Sequence, residues 1–244
     1  IKRGSRRDGN FWGPAGSEGP CGASNEVYVD GVEVATLVFM EYYCRTDKTL
    51  DPLTNRGVDV GWGFERLAAM LQGVSSVFET DLFSSIIAEI SEDVPVVTKR
   101  VLADHLRGIV FLISDGVRPS NKEAGYVLRR LMRRAIFHVN KYGVNYNAVF
   151  ESIFREYGKF YKELGKEPVL AEFSAEKEKF EKTLNMGEKE IVRLDHIDAE
   201  AAFKIASSYG VPYELIKEIG GGKAADLKRE DFETLMGRHR EVSR

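Results

Sequence analysis

The 244-residue chain is 43% hydrophobic and 30% charged and carries a net charge of −3. That suits one large domain or two modest ones with real cores, and it excludes a disordered or fibrous chain. It also excludes a uniformly basic surface, so any grip on an anionic partner has to come from local patches.

The two cysteines, Cys21 and Cys44, are too few for a disulfide scaffold and lack metal-ligand spacing, so no structural metal is predicted. No apolar run approaches the ~18 to 20 residues of a membrane span, and no signal peptide is visible. The expectation is a reducing, cytoplasmic setting with no membrane partner. The chain opens on Ile1 and runs straight into IKRGSRRDGNFWG, which reads as a piece of a longer protein.

From Asn10 to about Leu53 the texture is strand and turn. NFWGPAGSEGPCG is rich in glycine and proline around one aromatic pair. Such a loop can bring its backbone close to a ligand with Trp12 as a wall, or it is a turn with Trp12 in the core. Glu26–Val29 and Val32–Val34 flank Asp30–Gly31, the dipeptide suited to a type I′ hairpin turn. VEVATLVFMEYY is β-branched and aromatic and predicts a central strand covered on both faces.

GVDVGWGFERLAAMLQG predicts a short strand and then a helix closed by Gly73. Asp59 stands in the apolar strand, where a carboxylate is costly unless it is paired internally or held for a cationic ligand group such as an ammonium. Arg66 lies in the first turns of the helix, against the macrodipole. It either meets an anion or a flat ring, or makes a salt bridge with Glu65 or a neighbour.

Beyond about Glu79 the period turns helical. Leu102, Leu106, Ile109 and Ile113 form one amphipathic stripe. SNKEAGYVLRRLMRRAIFHVNKYG predicts a helix with Ser120 and Glu123 as a capping box and Gly143 as its stop. Arg129, Arg130, Arg133 and Arg134 fall within an arc of about 140° of that helix, opposite an apolar side. Four guanidinium groups without an interleaved acid suit phosphate or nucleic-acid contact; the alternative is a solvated face. Further helices break near Gly165–Pro168 and Gly220–Gly222. The scattered histidines, His105, His138, His196 and His239, offer no nucleophile–base pairing and read as structural. The fold class is α+β: an antiparallel-sheet segment over 1–78, then an all-α segment over 79–244.

NFWGPAGSEGPCG, VATLVFMEYY, GVDVGWGFERLAAMLQG, RVLADHLRGIVFLISDGVRPSNKEAGYVLRRLMRRA and AAFKIASSYGVPYEL, in this order, resemble alanyl-tRNA synthetase over nearly the whole chain. The resemblance implies that 1–78 is the C-terminal part of a class II catalytic domain and that 79–244 is a helical tRNA-recognition region. GVDVGWGFER looks like motif 3. Asp59 then holds the alanine ammonium, Gly61 and Gly63 give clearance, and Arg66 contacts ATP. Trp12, Thr36 and Val38 line the amino-acid pocket, and Asp59 and Arg66 are expected to face one cavity walled by Trp12. Selection of a methyl side chain by pocket size is worth only ~1–3 kcal/mol per methylene.

By the same resemblance Asn121 and Glu214 read the G·U pair of the tRNA(Ala) acceptor stem, and the four arginines hold its phosphates. ATP with Mg2+ and alanine are the implied substrates. Motif 1 and motif 2 would precede Ile1, so the missing N-terminal catalytic half is an implied partner. A tRNA-binding module, or a split or paralogous piece without activity of its own, is the alternative. Thr36 stands where the family usually has asparagine, and Glu214 where it has aspartate. Val60, Trp62 and Phe64 replace threonine, methionine and leucine of the usual motif.

Overall fold

Asp30 and Gly31 both have positive φ, 50° and 82°, as a type I′ turn requires. They join β2 (Gly19–Val29) to β3 (Val32–Cys44), with Val29 opposite Val32. The computed structural model describes residues 9–242, with side chains through residue 238. The chain divides after Ser84 into two compact units.

The first unit is an antiparallel sheet in the order β1 (Phe11–Trp12), β2, β3, β4 (Leu50–Trp62). β4 is thirteen residues long and far exceeds the short GVDV strand expected. Its polar first half, with Pro52 and Arg56, gives no hydrophobic signal, yet it suits the sheet edge where the strand lies. The expected cover of β3 is only partly present. Val34, Ala35, Val38 and Cys44 are buried, but Phe39 is 38% exposed. Among the described residues of this unit, α1 (Phe64–Gln72) and a 3-10 turn at Val77–Glu79 are too little to cover both faces of the sheet. α1 ends where expected: Gly73 is left-handed (φ 66°) and donates its N–H to the carbonyls of Ala69 and Met70.

α2 (Ser84–Ala88) spans the division, and the second unit is helical. α3 (Val96–Ser114) buries Leu102, Leu106, Ile109 and Ile113, the stripe read from the sequence. α4 (Glu123–Tyr142) packs on it and buries Leu128, Met132, Ala135 and Ile136. Burial of Leu128, Met132 or Ile136 contributes ~1.5–3 kcal/mol each, an upper bound given a compact unfolded chain. α5 (Tyr146–Tyr157) meets α6 (Lys166–Arg193) through an edge-on pair of rings, Phe150 and Phe173, 5.1 Å apart. α7 (Ala199–Tyr209), α8 (Tyr213–Gly220) and α9 (Arg229–Val242) complete the unit. His105 and His138 are buried and His196 is exposed; the His239 side chain lies outside the described residues.

The capping box at Ser120 does not form. Ser120 Oγ accepts from the N–H of Lys122 at 3.2 Å, and α4 starts only at Glu123, itself left-handed at φ 48°. The cause is a fold-back onto the helix start: Ser120 N–H donates to the carbonyl of Gly125, and a Cβ at Gly125 would lie 2.2 Å from Ser120 Oγ. Pairing with Gly125 takes the place of capping.

Candidate functional site

The strand register decides which of the predicted residues share a face. Val38 pairs with Asp59 and Thr36 with Gly61, so these four lie on one side of the β3–β4 ribbon in successive rows. Ser24 and Glu26 extend the two rows into β2. Trp12 pairs with Gly22, which pairs with Met40 in the next row of the same face. From Trp12 to the β4 edge is three strand spacings, about 14 Å. Trp12 therefore stands at the far end of a shelf, not against Asp59.

Val38 is buried, while Asp59 and Gly61 are exposed. The floor is an open shelf and not an enclosed hollow. The Asp59 carboxylate has no hydrogen-bond or ion-pair partner among the described residues. A carboxylate on an apolar strand without an internal partner remains available to a cation.

Arg66 is held differently. Its Nη1 donates to the main-chain carbonyl of Glu33 at 3.0 Å and lies 3.6 Å from the Glu33 carboxylate. Its stem runs past Gly63, where a Cβ would come within 3.1 Å of Arg66 Cδ. Thr36 Oγ1 donates to the other Glu33 carboxylate oxygen. Glu33 thus links the shelf residue Thr36 to Arg66. The Arg66 side chain is 53% exposed, and such a pair is worth only ~0–1 kcal/mol, so an anionic ligand can displace it.

In the helical unit the arginine face of α4 is not the free array expected. Arg133 Nε donates to Glu176 Oε1 at 2.7 Å, and its Nη1 donates to the Gly210 carbonyl at 2.7 Å. Arg129 Nε is 3.7 Å from the same Glu176 oxygen. Its Nη1 donates to Asn121 Oδ1, and its Nη2 to the Pro119 carbonyl at 3.2 Å. Arg134 Nη1 is 3.3 Å from His105 Nε2, while His105 Nδ1 faces Asp104 at 3.1 Å. The hydrogen bond from His105 holds the Asp104 carboxyl below its ordinary value.

Arg130 lies over the Tyr126 ring, and with Tyr126, Tyr213 and Arg229 it lines a cavity of about 200 Å³. Glu214 Oε1 accepts from Arg229 Nη2 at 2.9 Å, and Oε2 is buried without a hydrogen bond. Burial pushes the Glu214 carboxyl up, but the hydrogen bond from Arg229 and the charges of Arg130 and Arg229 outweigh it and hold the group below its ordinary value. Of the two residues expected to read RNA, Asn121 is tied to α4 through Arg129, while Glu214 is tied to Arg229 of α9.

Glu176 escaped the sequence reading because it sits in the charged run AEKEKFEK. A signal was present: Val169, Phe173, Glu176, Phe180 and Leu184 keep one 4-3-4-4 spacing, and all five are buried. An acid in that stripe calls for a cationic partner on the facing helix.

The sequence model of the family described as "tRNA synthetases class II (A)" matches residues 1–244. The chain belongs to this family. Among its relatives, the alanine–tRNA ligase of Petrotoga mobilis is 36% identical, over 98% of this chain and 32% of its own length. The alanine–tRNA ligase of Thermotoga maritima is 39% identical with the same coverage, and that of Borreliella afzelii is 35% identical over 98% of the chain and 47% of its own length. This class II chain thus spans about a third to a half of the relatives it matches. Its sheet and helices agree with the α+β class expected. No described helix is long and apolar enough to cross a membrane. Among the described residues no group of three or more His, Cys, Asp or Glu is placed to hold a metal ion.

Proposed function

We propose that the chain is part of a cytoplasmic alanine–tRNA ligase, with 1–78 contributing to amino-acid and ATP binding and 79–244 to recognition of the tRNA(Ala) acceptor stem. In the reaction the alanine carboxylate attacks the α-phosphorus of ATP and pyrophosphate leaves; Mg2+ bound to the phosphates would offset their charge. A ribose hydroxyl of the tRNA then attacks the adenylate carbonyl and AMP leaves. Asp59 holds the ammonium through charge-assisted hydrogen bonds, and the methyl group lies toward Val38. Gly61 leaves the shelf open beside Asp59, and Arg66 exchanges Glu33 for the nucleotide. The chemistry is mostly positioning and charge stabilisation.

The observation that carries this reading is the unpaired Asp59 carboxylate on the same face as Val38, Thr36 and Gly61. Calorimetric titration with alanine tests it: Asp59→Asn abolishes the binding heat if the carboxylate holds the ammonium, and unchanged heat rejects that role.

A second reading, an RNA-binding piece with no chemistry of its own, draws on the pairing of Arg66 with Glu33. It predicts an acceptor-stem gel shift that weakens steeply with salt, and no thermal shift with ATP.

A further inference from the structure

Glu176 is 3% exposed and sits at a core position of α6, where a glutamate is expensive to bury. One of its oxygens accepts a hydrogen bond from Arg133 and lies 3.7 Å from Arg129 Nε, an ionic approach without a hydrogen bond, and these two arginines of α4 lead in different directions. Arg129 reaches Asn121 Oδ1 and the Pro119 carbonyl, fixing the segment before α4. Arg133 reaches the carbonyl of Gly210, the left-handed cap of α7. Glu214 follows four residues later, in the first turn of α8. Arg133 also lies over the Phe180 ring, its centroid 5.0 Å away, so its plane is clamped. A Cβ at Gly210 would come within 1.7 Å of Arg133 Nη1, so the cap and the guanidinium are built around each other.

We infer that Glu176 is a positioning residue for acceptor-stem recognition, orienting Asn121 and the Glu214 segment together through Arg129 and Arg133. This rests on the proposed role of Asn121 and Glu214 as readers of the RNA. The chemistry is specific. Arg129 occupies the amide oxygen of Asn121, so the amide presents its NH2 donors to base-edge acceptors. The second carboxylate oxygen of Glu214 makes no hydrogen bond but is buried, so the stem has to uncover it before it can accept from an exocyclic amino group. Glu176 itself is too deeply buried to touch RNA. Two readers tied to one buried anion hold a fixed spacing, and loss of that anchor blurs discrimination more than it weakens phosphate contact.

The test compares dissociation constants of the 244-residue chain for two acceptor-stem hairpin RNAs that differ only in a G·U or a G·C pair. Wild type is expected to prefer G·U, and Asn121→Ala to lose that preference. Glu176→Gln keeps a hydrogen-bond acceptor but drops the charge. It is expected to lower the preference roughly tenfold, a partial loss of the discrimination one base pair carries, with G·C affinity and its salt slope little changed. Circular dichroism at the assay temperature confirms the fold. If Glu176→Gln unfolds, Glu176→Asp carries the same test, since it keeps the charge and withdraws it by one methylene. A folded Glu176 variant with full preference, beside an Asn121→Ala that has lost it, overturns the inference and leaves the reading intact. Wild type without preference, or Asn121→Ala with full preference, overturns the reading and the inference together.

Discussion

Arg66 and Glu33 hold each other twice, through a 3.0 Å hydrogen bond to the main-chain carbonyl and a 3.6 Å approach of the charges. The carbonyl bond sets where the guanidinium sits, and the carboxylate competes for its charge. Glu33→Gln removes only the competitor. ATP is then expected to bind about two- to fivefold more tightly, the equivalent of an exposed pair worth up to ~1 kcal/mol. Stability should change by no more than about the same amount. Fluorescence titration with an ATP analogue measures the first and chemical denaturation the second. Weaker binding in Glu33→Gln would mean that Glu33 orients Arg66 and does not compete with the ligand.

Asp59 is exposed and has no partner among the described residues, so the fold does not depend on it. Asp59→Asn should leave stability within about 0.5 kcal/mol, as for ordinary surface substitutions. Alanine affinity should fall at least about tenfold, since hydrogen bonds to charged groups are worth ~1.5–3 kcal/mol. Marked destabilisation with unchanged affinity would give Asp59 a structural role instead.

At Glu176 the expectation reverses. Glu176→Ala leaves Arg129 and Arg133 without their buried anion, and breaking a buried pair of this kind costs about 3–5 kcal/mol. Gly210→Ala should also be costly, because φ is +69° and a Cβ would collide with Arg133. Denaturant melts of the two variants measure both losses, and near-wild-type midpoints would show that the network adds nothing.

These residues also show what a sequence can display. The Asp30–Gly31 turn, the Gly73 cap and the α3 stripe rest on neighbours within a few positions, so local chemistry announces them. The grouping of Val38 with Asp59 needs the β3–β4 register, and the resemblance to a known family supplied it where periodicity could not. The arginine face of α4 misled because its partner Glu176 lies 43 residues from Arg133. A helical wheel places a charge on a face without showing what packs there. The start of α4 was missed for a similar reason: Gly125 accepts the fold-back of Ser120, and a capping rule ignores that tertiary contact.

Glu214 sets an acid limit on the helical unit. Its carboxyl lies below its ordinary value of 4.5 in the folded state, so its contribution is present above about that pH and is lost as pH falls through the lower folded value. Arg229→Met removes the leading stabiliser of the charged form, and burial then pushes the carboxyl up. The variant should lose stability at a higher pH than wild type. Denaturation midpoints followed by circular dichroism between about pH 7 and pH 3 record the difference. Parallel pH profiles would show that Arg229 does not hold the charge of Glu214.

The most direct measurement is alanine-dependent exchange of pyrophosphate into ATP by the chain joined to a segment carrying motifs 1 and 2, with Asp59→Asn alongside. The account predicts exchange supported by alanine well above glycine and serine, and lost at least about a hundredfold in Asp59→Asn, as for removal of a positioned charge. Exchange that ignores alanine, or that Asp59→Asn leaves intact, would contradict it.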